Sequence, residues 1–209
     1  MLVTDEIIAS QDETQILHPS SRKLFRFWET MRAERDAPRR DDLDLKQIAP
    51  LVPSLFIAEY VEKSGTYRWR LAGTAICRLY RRELTGTDLL AGWDGFETDT
   101  IGRFLSSTIN TRQPALLRFR FATDANQVIG AEMAAFPLLA SDGVTINIFG
   151  GVFPFRETEA LDYTALTCFE LAAARLVWTE NLPSSIPEGR SQSPVRRNFQ
   201  VIPGGLLPH

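Results

Sequence analysis

The chain has 209 residues, 44% hydrophobic and 23% charged, with a formal net charge of −3. That balance fits one globular domain with extensions, large enough to bury a core without staples. The negative charge argues against a nucleic-acid partner, because such binding draws its affinity from phosphate neutralisation.

Only two cysteines occur, Cys77 and Cys168, outside any C-x-x-C pair. A disulfide scaffold and a structural zinc site are therefore not expected, and no metal site is proposed. No run approaches the ~20 apolar residues of a membrane helix. Nor does the N-terminus pair a basic start with an apolar run, so the expected location is the cytoplasm, with no membrane partner.

Residues 1–19 read as a polar, flexible arm. Ser20 and Ser21 look like helix caps, and Leu24, Phe27, Trp28 and Met31 follow at helical spacing. That helix should end near Arg35, since Pro38 disfavours helical geometry before it. Residues 20–54 are thus a helix and a linker, with a short helical turn at residues 45–49. Residues 55–61 and 67–71 read as two strands joined by the turn Lys63-Ser64-Gly65.

Thr74 then caps a short helix through Ile76, Leu79 and Tyr80. Ile101, Phe104, Leu105 and Ile109 mark another amphipathic helix, stopped before Pro114. Three more strands follow at residues 116–122, 128–138 and 145–153. Turn residues Asp124-Ala125-Asn126 and Ser141-Asp142-Gly143 connect them. Leucines and aromatics at residues 161–178 predict a C-terminal helix within residues 157–182. Residues 183–209, rich in Pro, Ser, Gly and Arg, predict a flexible tail. The fold class is α+β: a five-stranded antiparallel sheet within residues 55–156, helices on one face, and helical extensions at both ends. The first helix is expected to lie outside the core.

Several of these residues form a recognisable set. Trp28, Arg32 or Arg35, Pro38-Arg39-Arg40 and Asp42-Leu43-Asp44 come first. The strand Leu55-Phe56-Ile57 follows, then Arg68-Trp69-Arg70-Leu71-Ala72-Gly73-Thr74, then Tyr80 and Leu84-Thr85-Gly86. Together they resemble a bacterial family of stand-alone PAS-domain proteins, formerly catalogued as a domain of unknown function. The resemblance covers residues 24–155. It implies a five-stranded PAS sheet preceded by a helix, and a sensory or protein-contact role. Fold likeness alone does not fix function, so the site must be argued from its residues.

Much chemistry is missing. His18 and His209 are the only histidines, both outside the PAS-like segment, so a nucleophile has no base beside it. The haem-binding relatives that the resemblance brings in use a histidine among their helices, and none stands there. Flavin photosensors of that class carry Asn-Cys-Arg-Phe-Leu-Gln; Ile76-Cys77-Arg78-Leu79-Tyr80-Arg81 lacks the asparagine and the glutamine. Cys77 is therefore expected to be a buried structural thiol. Gly150-Gly151, inside an apolar strand, marks a bulge or close backbone approach rather than a phosphate cradle. Asp41 with Asp42 and Glu157 with Glu159 read as surface charge. No enzymatic activity is expected, and no cofactor is indicated.

A ligand site, if present, would be an apolar cavity under the helices. Its lining is Phe56, Ala58 and Tyr60, or Leu55, Ile57 and Glu59 in the opposite facing; the sequence leaves both open. Arg70 is the candidate polar anchor for an anion, or else pairs with an acid such as Asp88 or Glu132. Phe119 is a further lining candidate, on a strand where Arg118 and Arg120 alternate with Phe119 and Phe121. Leu24, Phe27, Trp28 and Met31 are the candidate homodimer interface. Two functions stay open. One is a sensory module that binds a small ligand and regulates an unknown signalling protein. The other is a ligand-free interaction domain.

Overall fold

A computed structural model describes residues 16–123, 127–156 and 166–177. The expected arm before residue 16, the turn at Asp124-Ala125-Asn126, the Glu157–Glu159 pair and the tail at 183–209 lie outside the described residues.

The order is α1 (Pro19–Arg32), β1 (Leu55–Val61), β2 (Thr66–Ala72), α2 (Thr74–Tyr80), α3 (Gly95–Thr111), β3 (Ala115–Thr123), β4 (Val128–Leu139), β5 (Ile146–Pro154) and β6 (Leu166–Leu176). The expected turn at residues 45–49 is the start of a longer 3-10 segment, Leu45–Ser54. All six strands form one sheet in the order β2-β1-β5-β4-β3-β6, every neighbouring pair antiparallel. The α+β class and the antiparallel sheet are as the sequence implied, with one strand more.

That strand corrects the C-terminal extension. Residues read as helix by their leucines and aromatics form β6, paired with β3 from Ala115↔Leu176 to Thr123↔Leu166. Helix propensity is a weak prior, and the open edge of β3 overrides it by supplying backbone partners. Phe169, Leu171, Ala174 and Leu176 pack toward the core.

The sheet divides the interior into two layers. On one face, α2, α3 and the loop between them cover Phe56, Ala58, Tyr67, Trp69, Phe119 and Phe121, among others. On the other face, α1 and the 3-10 segment cover Leu55, Leu116, Phe136, Leu138, Phe149 and Phe153. The helix expected outside the core therefore belongs to it.

Leu24, Phe27 and Trp28 are buried within the chain, and Met31 packs against the same cluster. The apolar stripe that suggested a homodimer is thus spent on the chain's own sheet. The Trp28 ring stacks on Phe136 with centroids 5.5 Å apart, and its Nε1–H donates to Pro137 O at 2.9 Å. The helix opens at Pro19, whose fixed φ suits the first helical position, with His18 rather than Ser20 or Ser21 as the cap.

Two glycines permit close approaches. A Cβ on Gly150 would stand 2.2 Å from Ala134 O and 2.6 Å from the Phe56 ring. The Gly150-Gly151 step is therefore a close backbone approach, as its place in an apolar strand suggested. A Cβ on Gly73 would stand 2.2 Å from Pro53 O, so this glycine lets the start of α2 pass against the 3-10 segment.

Candidate functional site

Alternation along β1 and β2 decides the facing that sequence left open. Phe56 and Ala58 point under the helices with Tyr67 and Trp69, while Leu55 and Ile57 face α1. Aromatic rings pack against one another in the space beneath α2 and α3. Phe56 meets Trp69 edge-on at 5.2 Å, Trp69 meets Tyr80 at 6.3 Å, and Tyr80 stacks on Phe169 at 5.5 Å. Trp93 sits 5.3 Å from Phe119 and 5.1 Å from Phe169. Burial pushes the Tyr80 phenol well above its ordinary range. Phe56 and Phe119 stand within this ring packing, and Phe169, contributed by β6, joins it from a segment that the sequence predicts as helix.

Arg70 is not under the helices. The β1–β2 register slips between Ile57 and Ala58, with Ala58 opposite Trp69 and Ile57 opposite Leu71, which leaves Arg70 as the extra residue of a bulge. Such a residue is re-aimed out of the ladder. Its guanidinium is half exposed and donates to Glu59 Oε2 at 2.9 Å, while Arg68 donates to Glu59 Oε1. The acid that meets Arg70 is Glu59, not Asp88 or Glu132. Burial opposes ionisation of Glu59, but the two arginines outweigh it and hold the carboxyl below its usual value.

Arg68, Arg70 and Glu59, with Thr85 and Gly86, line an open hollow of about 270 Å³. The Leu84-Thr85-Gly86 step lies along the free edge of β2. Gly86 N–H donates to Trp69 O at 2.7 Å, and Trp69 N–H donates to Thr87 O at 3.0 Å.

A larger groove of about 510 Å³ runs between the β1–β2 hairpin and α3. Tyr60 and Tyr67 form its floor, their rings 5.2 Å apart. Gly102 and Ser106 of α3 keep it open, and Glu62, Asp99 and Arg103 supply charge. The Tyr67 hydroxyl donates to Gly102 O at 3.1 Å, and burial raises its pKa. Tyr60 is the one sequence candidate that reaches this groove.

Cys77 is only half-buried, its thiol 3.7 Å from Ala72 O and 3.8 Å from Glu83 Oε1; burial, with Glu83 beside it, raises its pKa. That disfavours the thiolate a reactive cysteine needs. Among the described residues no three His, Cys, Asp or Glu side chains gather as a metal site, and no helix is long and apolar enough to cross a membrane.

A third polar cluster lies on the α1 face. Glu132, fully buried, accepts Arg118 Nε–H at 3.0 Å together with the backbone N–H of Leu17 at 3.1 Å and of His18 at 3.0 Å. Arg118 is thereby partly buried in an ion pair, whereas Arg120 pairs with Glu170 at an exposed position. The sequence offers Glu132 only as a partner for Arg70, because nothing in a strand pattern shows that a distant backbone segment will cross it.

No curated protein matches the sequence. A solved structure titled "Flavin Analogue Sheds Light on Light-Oxygen-Voltage Domain Mechanism" aligns with a TM-score of 0.41 at 10% identity, covering 57% of this chain and 89% of that one. The family model described as PAS domain matches residues 16–153. That span takes in α1 and the five strands β1 to β5, with β6 beyond it. It exceeds half of the 209 residues, and the chain belongs to the PAS domain family.

Proposed function

We propose that this sensory-class module is non-catalytic and regulates a partner protein by direct contact, with no ligand between sheet and helices. The ring packing carries this reading. Phe56, Trp69, Tyr80, Trp93, Phe119 and Phe169 touch one another where an interior ligand would lie. Close-packed interiors hold few voids larger than water, so admitting a ligand would require moving several rings at once.

The contact surface in this reading is the uncovered face of the β1–β2 hairpin. There Arg68 and Arg70 flank Glu59, and Leu71 is 46% exposed. Two cations around one acid suit a partner that presents carboxylates beside an apolar side chain. A homodimer, if formed, would use a surface other than the buried α1 stripe.

Native mass spectrometry of gently purified protein tests the interior: the expected mass is that of the bare chain, and a stoichiometric small molecule would overturn the reading. The double variant Arg68→Glu, Arg70→Glu tests the surface. It should abolish partner capture while the melting temperature stays within a few degrees, about what exposed ion pairs allow.

The groove beside α3 favours a second reading, in which a small molecule is sensed. Its ~510 Å³ lies in the range of small-molecule sites, and the Tyr60–Tyr67 pair offers a stacking floor. Tyr60→Ala would then remove binding of a co-purifying compound without unfolding the chain.

A further inference from the structure

We propose that His18 is a pH-responsive latch that fastens the segment entering α1 onto the sheet and loosens it on protonation. Neither the family match nor the reading above assigns this residue a role.

The ring is held on both nitrogens. Nδ1 accepts the Ser20 N–H at 3.1 Å, which caps the helix, and Nε2 faces Pro154 O at 3.2 Å. A carbonyl only accepts, so Nε2 carries the hydrogen and Nδ1 a lone pair: the ring is neutral. It stacks on Phe153 with centroids 5.4 Å apart and planes 16° apart, and Phe155 covers it from the side at 5.4 Å. A proton added at Nδ1 would point at the Ser20 N–H, replacing an acceptor with a donor. The cap is lost, and the charge is placed against apolar rings.

The same segment is gripped on either side. Glu132 of β4 accepts the N–H of Leu17 and His18, and Arg22 of α1 donates to the carbonyls of Ile16 at 2.8 Å and Leu17 at 3.0 Å. Ile16 is buried against the α1-side core. These contacts converge on residues 16–20, so one altered bond at His18 acts on a segment that is otherwise fully fastened.

Among the described residues, the charged groups facing the ring are Glu132 from β4, Arg22 from α1 and, through Glu132, Arg118 from β3. Burial lowers the His18 pKa below 6.5; Pro154 O and Glu132 oppose this, and Arg22 reinforces it. In the window below about 6.5 the released ring binds more protons than the docked one. Docking is therefore complete above that pH and weakens as pH falls through it. One capping bond is altered while the strand pairings are untouched, so the outcome is local opening at the front of α1, not global unfolding.

Nuclear magnetic resonance of the labelled full chain, titrated from pH 8 to pH 5, tests this directly. The His18 ring should titrate below 6.5. In step with it, the Leu17 and Ser20 amides should lose exchange protection, corrected for the intrinsic pH dependence, while amides in the centre of β4 keep theirs. His18→Asn keeps a capping oxygen and removes the titration, so its Leu17 and Ser20 protection should be flat across the range. Loss of protection that persists in His18→Asn overturns the proposal. So does a wild-type ring that titrates with those amides unchanged, or one that titrates at or above 6.5.

Discussion

Trp28→Ala separates a helix that belongs to the core from one that serves only as a dimer handle. The indole is fully buried, stacks on Phe136, lies under the Arg32 guanidinium at 5.2 Å and donates to Pro137 O. Truncating a buried tryptophan costs roughly 3–5 kcal/mol through lost transfer energy and the cavity left behind. Stranding a carbonyl adds about 1 kcal/mol or more, although the two losses overlap. A total of about 4–5 kcal/mol is a large share of the 5–15 kcal/mol a domain commands. With a urea slope of about 2 kcal/mol per molar, the unfolding midpoint should fall by about 2 M. Trp28→Phe keeps the stack and loses the hydrogen bond, so about 1–2 kcal/mol should go. Urea denaturation followed by circular dichroism reads these shifts. A midpoint within about 0.5 M of wild type for Trp28→Ala would refute the assignment of α1 to the core. By the same reasoning, removing every residue before Pro38 should unfold the chain rather than yield a folded monomer.

Arg70→Leu should change stability by less than about 1 kcal/mol in a thermal melt, because the pair is exposed and Glu59 keeps Arg68. Gly150→Ala should destabilise by about 2–4 kcal/mol, since the new methyl meets the Ala134 carbonyl oxygen, which cannot step aside. Glu59 ionises more readily folded than unfolded, so its contribution is present above about pH 4.5 and lost as pH falls. Acid titration of Arg68→Gln should show a weaker loss below that pH than wild type. Phe169→Ala should open space under α2 and α3 and cost roughly 3 kcal/mol; a melt unchanged by it would deny β6 its part in the interior.

The sheet from β1 to β5 was legible in the sequence because its signals are local. Leu55–Val61 reads as an apolar strand, Gly65 supplies a turn with φ of 66°, and Asp142 binds the Val144 and Thr145 amides to close the β4–β5 turn. Helical spacing also found the buried face of α1. Where that face docks was not legible, because a stripe at i, i+3 and i+4 fits a second copy as well as the chain's own sheet.

The remaining differences all depend on partners in other elements. The Ala-rich segment at residues 166–176 satisfies a helix pattern, and it is a strand because β3 presents an open edge. Arg70 belongs to an alternating strand on paper, and a single bulge aims it outward to Glu59. Glu132 looks like an ordinary acid within an apolar run, and it becomes an anchor because residues 17 and 18 bring their amides across the sheet to it. Periodicity, caps and turns are properties of a few consecutive residues, so the sequence by itself determined α1, α2, α3 and the strands β1 to β5. Which edge is extended, which face is covered and which acid meets which base depend on contacts between separate elements, from 11 residues apart for Glu59 and Arg70 to 115 for Leu17 and Glu132, and only the tertiary structure decided them.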